Sequence, residues 1–133
     1  MMDTERLEQR KSELQAAVQR LEEACAEPFS TIVRDSVIQR FEFCWELAWK
    51  TMGLWLEYIG IVVLNPRDTF REAHNKGLIQ DGNLWTDMQK MRNLTVHTYK
   101  EKLAEEVYAF IIDRGLPLFR QLAETSKTWQ PND

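Results

Sequence analysis

Glycine, proline, cysteine and histidine are all scarce in this chain, and each shortage closes off a class of explanation. Five glycines and four prolines in 133 residues are too few for a loop-rich scaffold. A composition 44% hydrophobic and 29% charged suits a compact helical protein rather than a disordered tail. The two cysteines, Cys25 and Cys44, lie in apolar-patterned stretches without CxxC spacing, so buried reduced thiols are expected rather than a disulfide or metal ligands. The two histidines, His74 and His97, stand in unrelated local settings with no HExxH or Cys/His cluster. Neither a metal nor a cofactor is therefore expected. No run approaches the roughly 18 apolar residues of a membrane span, and Met1-Met2-Asp3-Thr4-Glu5-Arg6 lacks the apolar stretch of a secretory signal. The expectation is a soluble cytoplasmic protein with no membrane contact. A net charge of −4 exerts no global pull on nucleic acid, so any RNA contact needs a local basic patch. The length fits one domain, residues 1–133, with a single core.

What the sequence does have is helical periodicity. Leu7, Leu14, Val18, Leu21 and Cys25 form the stripe of a first helix over residues 3–27, which Pro28 interrupts. Ser30 can cap a long second helix reaching Gly60, with Val33, Val37, Phe41, Trp45, Ala48 and Met52 inward. Residues 61–64 read as a buried loop. Asn65-Pro66-Arg67-Asp68 starts a short helix over 66–76, where Arg67, Arg71, His74 and Lys76 make the nearest approach to a basic surface. His74 reads as a solvated surface residue. Asp81-Gly82-Asn83 opens a further helix from Leu84 to about Val96. Thr98-Tyr99-Lys100-Glu101 fits a capping box, which places the last helix start at Thr98. Gly115-Leu116-Pro117 should kink or split that helix, and the tail over residues 125–133 should fray. Four long amphipathic helices with short connections, plus one short helix, imply an all-α, up-down four-helix bundle.

The chemistry concentrates in Arg92-Asn93-Leu94-Thr95-Val96-His97-Thr98-Tyr99. Arginine offers a planar fork for phosphate oxygens, histidine exchanges protons near neutrality, and tyrosine adds a hydroxyl. On one uninterrupted helix Arg92 and His97 would sit about 140° apart. The expected break at Thr98 instead puts Arg92 in the last turn of one helix, His97 in the turn, and Tyr99 in the first turn of the next. A purely structural role for Arg92, complementing the helix dipole, competes with this. On the second helix Arg34, Arg40, Glu42, Glu46 and Lys50 sit among aromatics including Trp45 and Trp49. They form either a solvated salt-bridge face or, through Arg40, Glu46 and Lys50, the lining of a cleft or subunit contact.

Several stretches carry a resemblance. Residues 34–50, from Arg34-Asp35-Ser36 through Glu46-Leu47-Ala48-Trp49-Lys50, resemble the signature of the nucleotidyltransferase substrate-binding protein family. So do Pro66-Arg67-Asp68, Arg71-Glu72-Ala73, Gly77-Leu78-Ile79 and the Arg92–Tyr99 stretch, giving a match over roughly residues 30–112. The resemblance implies membership of the HEPN superfamily of helical bundles, typically homodimers or higher even oligomers, often encoded beside a minimal nucleotidyltransferase. Arg92, His97 and Tyr99 reproduce that superfamily's arginine-x4-histidine-x-tyrosine motif. In ribonuclease members the arginine and histidine act without metal, and the tyrosine is implied as an acceptor of adenylyl groups.

Two functions follow, with a bland third. In the first, the chain is a nucleotide- or substrate-binding partner of a separately encoded minimal nucleotidyltransferase, presenting Arg92, Asn93, His97 and Tyr99, with Arg40, Glu46 and Lys50, in a homodimer cleft. The acidic charge fits this. In the second it is a metal-independent endoribonuclease toxin: Arg92 and His97 are catalytic on RNA, and Tyr99 is the site modified by the partner antitoxin. In the third it is a non-catalytic helical interaction module.

Overall fold

Single-residue caps set the starts of three of the six α-helices in the computed structural model, which describes residues 4–130. Helix α1 (Glu5–Ala26) ends before Pro28. Helix α2 (Thr31–Tyr58) begins where the Ser30 hydroxyl accepts the Val33 amide at 3.0 Å. It closes through Gly60, whose φ of 89° suits glycine. Asn65 caps α3 (Pro66–Asn75) by accepting the Asp68 amide at 2.8 Å, and Asp81 caps α4 (Gly82–Leu94) by accepting that of Leu84 at 2.9 Å. A 3-10 turn (Thr95–His97) follows, then α5 (Glu101–Phe110), a π turn (Ile111–Gly115) and α6 (Leu116–Ser126). The described residues contain no strand, and residues 61–64 are loop but not the buried one expected, since Val62 and Leu64 are exposed.

The architecture is an all-α, up-down bundle of four long helices with α3 as the additional short one, counting α5, the π turn and α6 as a single rod. Helix α1 packs along α2 and α6, while α2 also meets α3 and α5. The core takes Leu14 and Leu21 from α1, Val37, Phe41 and Met52 from α2, Met88 from α4, and Val107 and Ile111 from the last rod, each 0% exposed. An aromatic series crosses it. Phe41 meets Phe119 at 5.7 Å, Phe119 meets Trp85 at 6.0 Å, Trp85 meets Phe70 at 5.1 Å, and Phe70 meets Trp45 at 6.1 Å. Such tilted and edge-on pairs add to the burial of the rings themselves.

Two further expectations are corrected. The last helix does not begin at Thr98, because both members of the capping box are drawn elsewhere. The Thr98 hydroxyl donates to the Thr95 carbonyl at 2.9 Å, and the Glu101 carboxylate accepts from buried Arg34 at 2.5 Å. Helix α5 therefore starts at Glu101, with Lys100 at its cap position and no side-chain cap. Ahead of Pro117 the α-helix is interrupted, as expected, here by the π turn between α5 and α6. That turn rearranges the hydrogen bonding where proline lacks a donor and crowds the preceding turn. Finally, residues 125–130 do not fray: Trp129 is buried, and its carbonyl accepts a 3.1 Å hydrogen bond from buried Lys11. The remainder of the expected tail, 131–133, lies outside the described residues, as does residue 3 of the expected first helix.

Both cysteines are free, Cys44 buried and Cys25 partly so. Burial, with a smaller contribution from Cys25, pushes the Cys44 thiol up from 9.0 to about 12. A raised folded value means the folded state holds the proton longer than the unfolded chain does. The stability this confers is intact below about pH 9 and is lost as pH rises from there through about 12. Urea unfolding between neutral and alkaline pH should therefore show a steeper loss above pH 9 for wild type than for Cys44→Ala. Parallel pH profiles would contradict it.

Candidate functional site

Arg92 lies in the last turn of α4, where its charge complements the helix dipole. Its guanidinium sits 5.5 Å over the Trp45 ring, so the aromatic series ends beneath the cation. Glu46, the next residue on α2, stands 3.7 Å from Nη2 and also accepts a 3.2 Å hydrogen bond from Trp49 Nε1. Lys50 approaches the same carboxylate at 3.6 Å. On the other side Nη1 donates to the Thr95 hydroxyl at 3.4 Å, and that hydroxyl donates to the Arg92 carbonyl at 2.7 Å. The side chain is thus oriented by long contacts rather than consumed by a tight bidentate pair. Its buried Nε has no hydrogen-bond partner among the described residues.

The 3-10 turn carries the rest of the motif outward. His97 is exposed at its end and Tyr99, 79% exposed, follows in the connecting turn. Their rings stand edge to face at 6.1 Å. Backbone bonds from the Thr98 amide to the Thr95 carbonyl and from the Lys100 amide to the His97 carbonyl, at 3.4 and 3.0 Å, stitch the turn. Arg34, 6% exposed, then fastens the start of α5 to α2 through Glu101 and also meets Asp35 at 3.4 Å. The Glu101 hydrogen bond, outweighing burial, raises the Arg34 pKa above its ordinary value and keeps it cationic. The displayed turn is held at both ends.

The structure therefore brings Arg92, Glu46 and Lys50 together and pairs His97 with Tyr99. No hydrogen bond or ion pair joins Arg92 to His97 among the described residues. Asn93 is exposed on α4. Arg40 goes elsewhere: its Nη1 donates to the Arg20 carbonyl on α1 at 2.6 Å. Six residues separate it from Glu46, which turns it about 120° away on the helix. Sequence reasoning missed Trp45 as the platform under Arg92, Thr95 as its hydroxyl contact, and the Arg34–Glu101 tether. Only Thr95 carried a local signal, its i+3 spacing from Arg92. Among the described residues no group of three or more His, Cys, Asp or Glu is placed to hold a metal ion. No helix among them is long and apolar enough to cross a membrane.

A HEPN-like helical bundle is the class that this fold defines. The sequence model described as "nucleotidyltransferase substrate binding protein like" matches residues 9–128, and the chain belongs to that family. A curated relative from Haemophilus influenzae, named "Probable ribonuclease HepT", is 39% identical over 92 residues. That match covers 62% of this chain and 63% of the relative, so the chain spans under two thirds of the relative's length. A solved Haemophilus influenzae structure, said to reveal the fold of a substrate binding domain of a nucleotidyltransferase, is 30% identical with a TM-score of 0.67. It covers 95% of this chain and 100% of its own. The tri-AMPylated Shewanella oneidensis HEPN toxin, solved with its MNT antitoxin, shares the fold at 19% identity and a TM-score of 0.74, covering 96% and 98%.

Proposed function

We propose that this chain is a metal-independent endoribonuclease of the HEPN type, controlled by a separately encoded minimal nucleotidyltransferase that adenylylates Tyr99. The observation that carries the proposal is the 3-10 turn: it exposes His97, and it begins at Thr95, whose hydroxyl contacts the Arg92 guanidinium at 3.4 Å. The relative named a probable ribonuclease supports the same direction.

The chemistry follows from the groups. The ribose 2′-oxygen attacks phosphorus and the bond from phosphorus to the 5′-oxygen breaks, leaving a 2′,3′-cyclic phosphate and a 5′-hydroxyl. One neutral imidazole takes the 2′-hydroxyl proton, and one protonated imidazole supplies a proton to the departing 5′-oxygen. A homodimer places two copies of His97 in these roles. Arg92 faces the charge that builds on the non-bridging oxygens. The test is incubation of the purified chain with diverse RNAs in chelator, beside His97→Ala. Absence of any His97-dependent cleavage overturns the proposal.

One observation favours a second reading, in which the chain is a substrate-presenting subunit of the nucleotidyltransferase and cleaves nothing: the 30% identical Haemophilus influenzae structure is described as the fold of a substrate binding domain of a nucleotidyltransferase. Tyr99 is 79% exposed, so its hydroxyl is open to a partner's active site whether or not His97 is catalytic. Co-expression with the partner enzyme should add adenylyl units to the intact mass of the wild-type chain, and Tyr99→Phe should abolish the addition. An unmodified wild-type chain contradicts the acceptor role in both readings.

A further inference from the structure

Helices α3 and α4 enclose a cleft of about 330 Å³ that the motif itself does not use. Its α3 wall carries Arg67, Arg71 and His74, spaced i, i+4 and i+7 and therefore on one face. Its α4 wall carries Gly82, Thr86 and Gln89 with the same spacing, and buried Phe70 stands among the lining residues. No carboxylate lines it. Asp68 and Glu72 stand nearby on α3, 3.2 and 3.9 Å from the Arg71 guanidinium. The side chains of Arg67 and His74 are exposed and have no ion-pair or hydrogen-bond partner among the described residues. The His74 ring lies against the start of α4, where a Cβ added to Gly82 would stand 3.6 Å from it.

Direction gives this cleft its meaning. The stripe Gly82, Thr86, Gln89 continues at the next turn to Asn93 and then meets the 3-10 turn bearing His97. Five steps of α-helix and three of 3-10 turn lead from Gln89 to His97, about 14 Å of rise, a distance that a few nucleotides span. The cationic wall thus leads along α4 to the imidazole. On a chain of net charge −4, this is where a phosphate backbone meets positive charge without a carboxylate in the lining.

We infer that the α3/α4 cleft is an RNA-backbone site, in which Arg67, Arg71 and His74 hold the phosphates of a single strand flanking the bond presented to His97. Arg67 and Arg71 supply charge; Thr86 and Gln89 supply neutral hydrogen-bonding groups for ribose hydroxyls. The inference rests on the ribonuclease reading for the position of the scissile bond, while its binding claim is measured separately.

The experiment uses the full chain carrying His97→Ala, so that RNA survives the titration, with fluorescein-labelled single-stranded RNA read by anisotropy over a range of salt. Adding Arg67→Gln with Arg71→Gln should weaken binding roughly tenfold or more and lower the slope of log K against log salt by about 1.4, two contacts at ~0.7 each. Arg67→Lys with Arg71→Lys should retain most of the slope, and circular dichroism should show both variants helical. Unchanged affinity and slope in the glutamine variant overturn the inference. So does displacement of the RNA by AMP at equal nucleotide concentration, which would mark a mononucleotide site. If wild type cleaves no RNA yet Arg67-dependent binding persists, the ribonuclease reading fails and the cleft stands. If wild type and an Arg67→Gln, Arg71→Gln chain with His97 intact cleave alike, and the glutamine variant binds unaltered, the cleft fails and the reading stands.

Discussion

Replacing His97 by alanine is expected to slow cleavage of single-stranded RNA by ~10² to 10⁴, the usual worth of a positioned general acid or base. Its stability should stay within about 0.5 kcal/mol of wild type, as for surface substitutions elsewhere. The pairing of a large kinetic effect with a negligible structural one follows from where His97 stands. It ends a 3-10 turn in solvent, and the backbone bonds holding that turn come from Thr98 and Lys100 rather than from the imidazole. The measurement is cleavage rate in chelator beside a urea melt of the same preparation. Equal loss of rate and stability would mean that His97 holds the turn rather than acting on RNA.

The second large effect lies in the core and has the opposite signature. Trp85→Ala should cost about 3–5 kcal/mol, the range for removing a buried tryptophan or phenylalanine. Trp85 is 1% exposed and sits between Phe70 at 5.1 Å and Phe119 at 6.0 Å, so its removal opens the aromatic series at its middle. Phe70 meets Trp45, and Trp45 lies beneath Arg92. The cavity is therefore connected by ring contacts to the floor of the candidate site. Domains of this kind have only about 5–15 kcal/mol in total, so the variant should be marginal at physiological temperature. Urea unfolding at fixed protein concentration measures it, fixed because any dimerisation shifts the midpoint. A loss below about 1 kcal/mol would show that the neighbouring rings close the gap.

Helix boundaries were legible in the sequence wherever one residue decides them locally. Ser30, Asn65 and Asp81 each accept an amide three residues on, and Gly60 and Gly77 take the positive φ that ends their segments. The start of α5 was not legible, because Thr98 and Glu101 have a local use as a capping box and a different use in the fold. Arg34, 67 residues earlier, takes the glutamate. The same division runs through the site. The spacing of Arg92, His97 and Tyr99 marks them from sequence alone, and a chain break between Arg92 and Tyr99 was foreseeable. That break comes at Leu94, earlier than the capping pattern implied, and leaves Tyr99 in the turn. The bed under Arg92 is made by Trp45 and Glu46 from another helix, a relation that no local spacing encodes. Arg40 looked equivalent to Glu46 and Lys50 as a polar residue among aromatics, yet helical phase turns it to α1.

The chemistry of the RNA ends tests the central claim most directly. Purified chain in chelator should convert RNA into fragments ending in 2′,3′-cyclic phosphate and beginning with 5′-hydroxyl, since the 2′-oxygen is the nucleophile that an imidazole can activate. His97→Ala should yield neither at a comparable rate. Fragments bearing 3′-hydroxyl and 5′-phosphate ends, or cleavage that survives the loss of His97, would contradict the account.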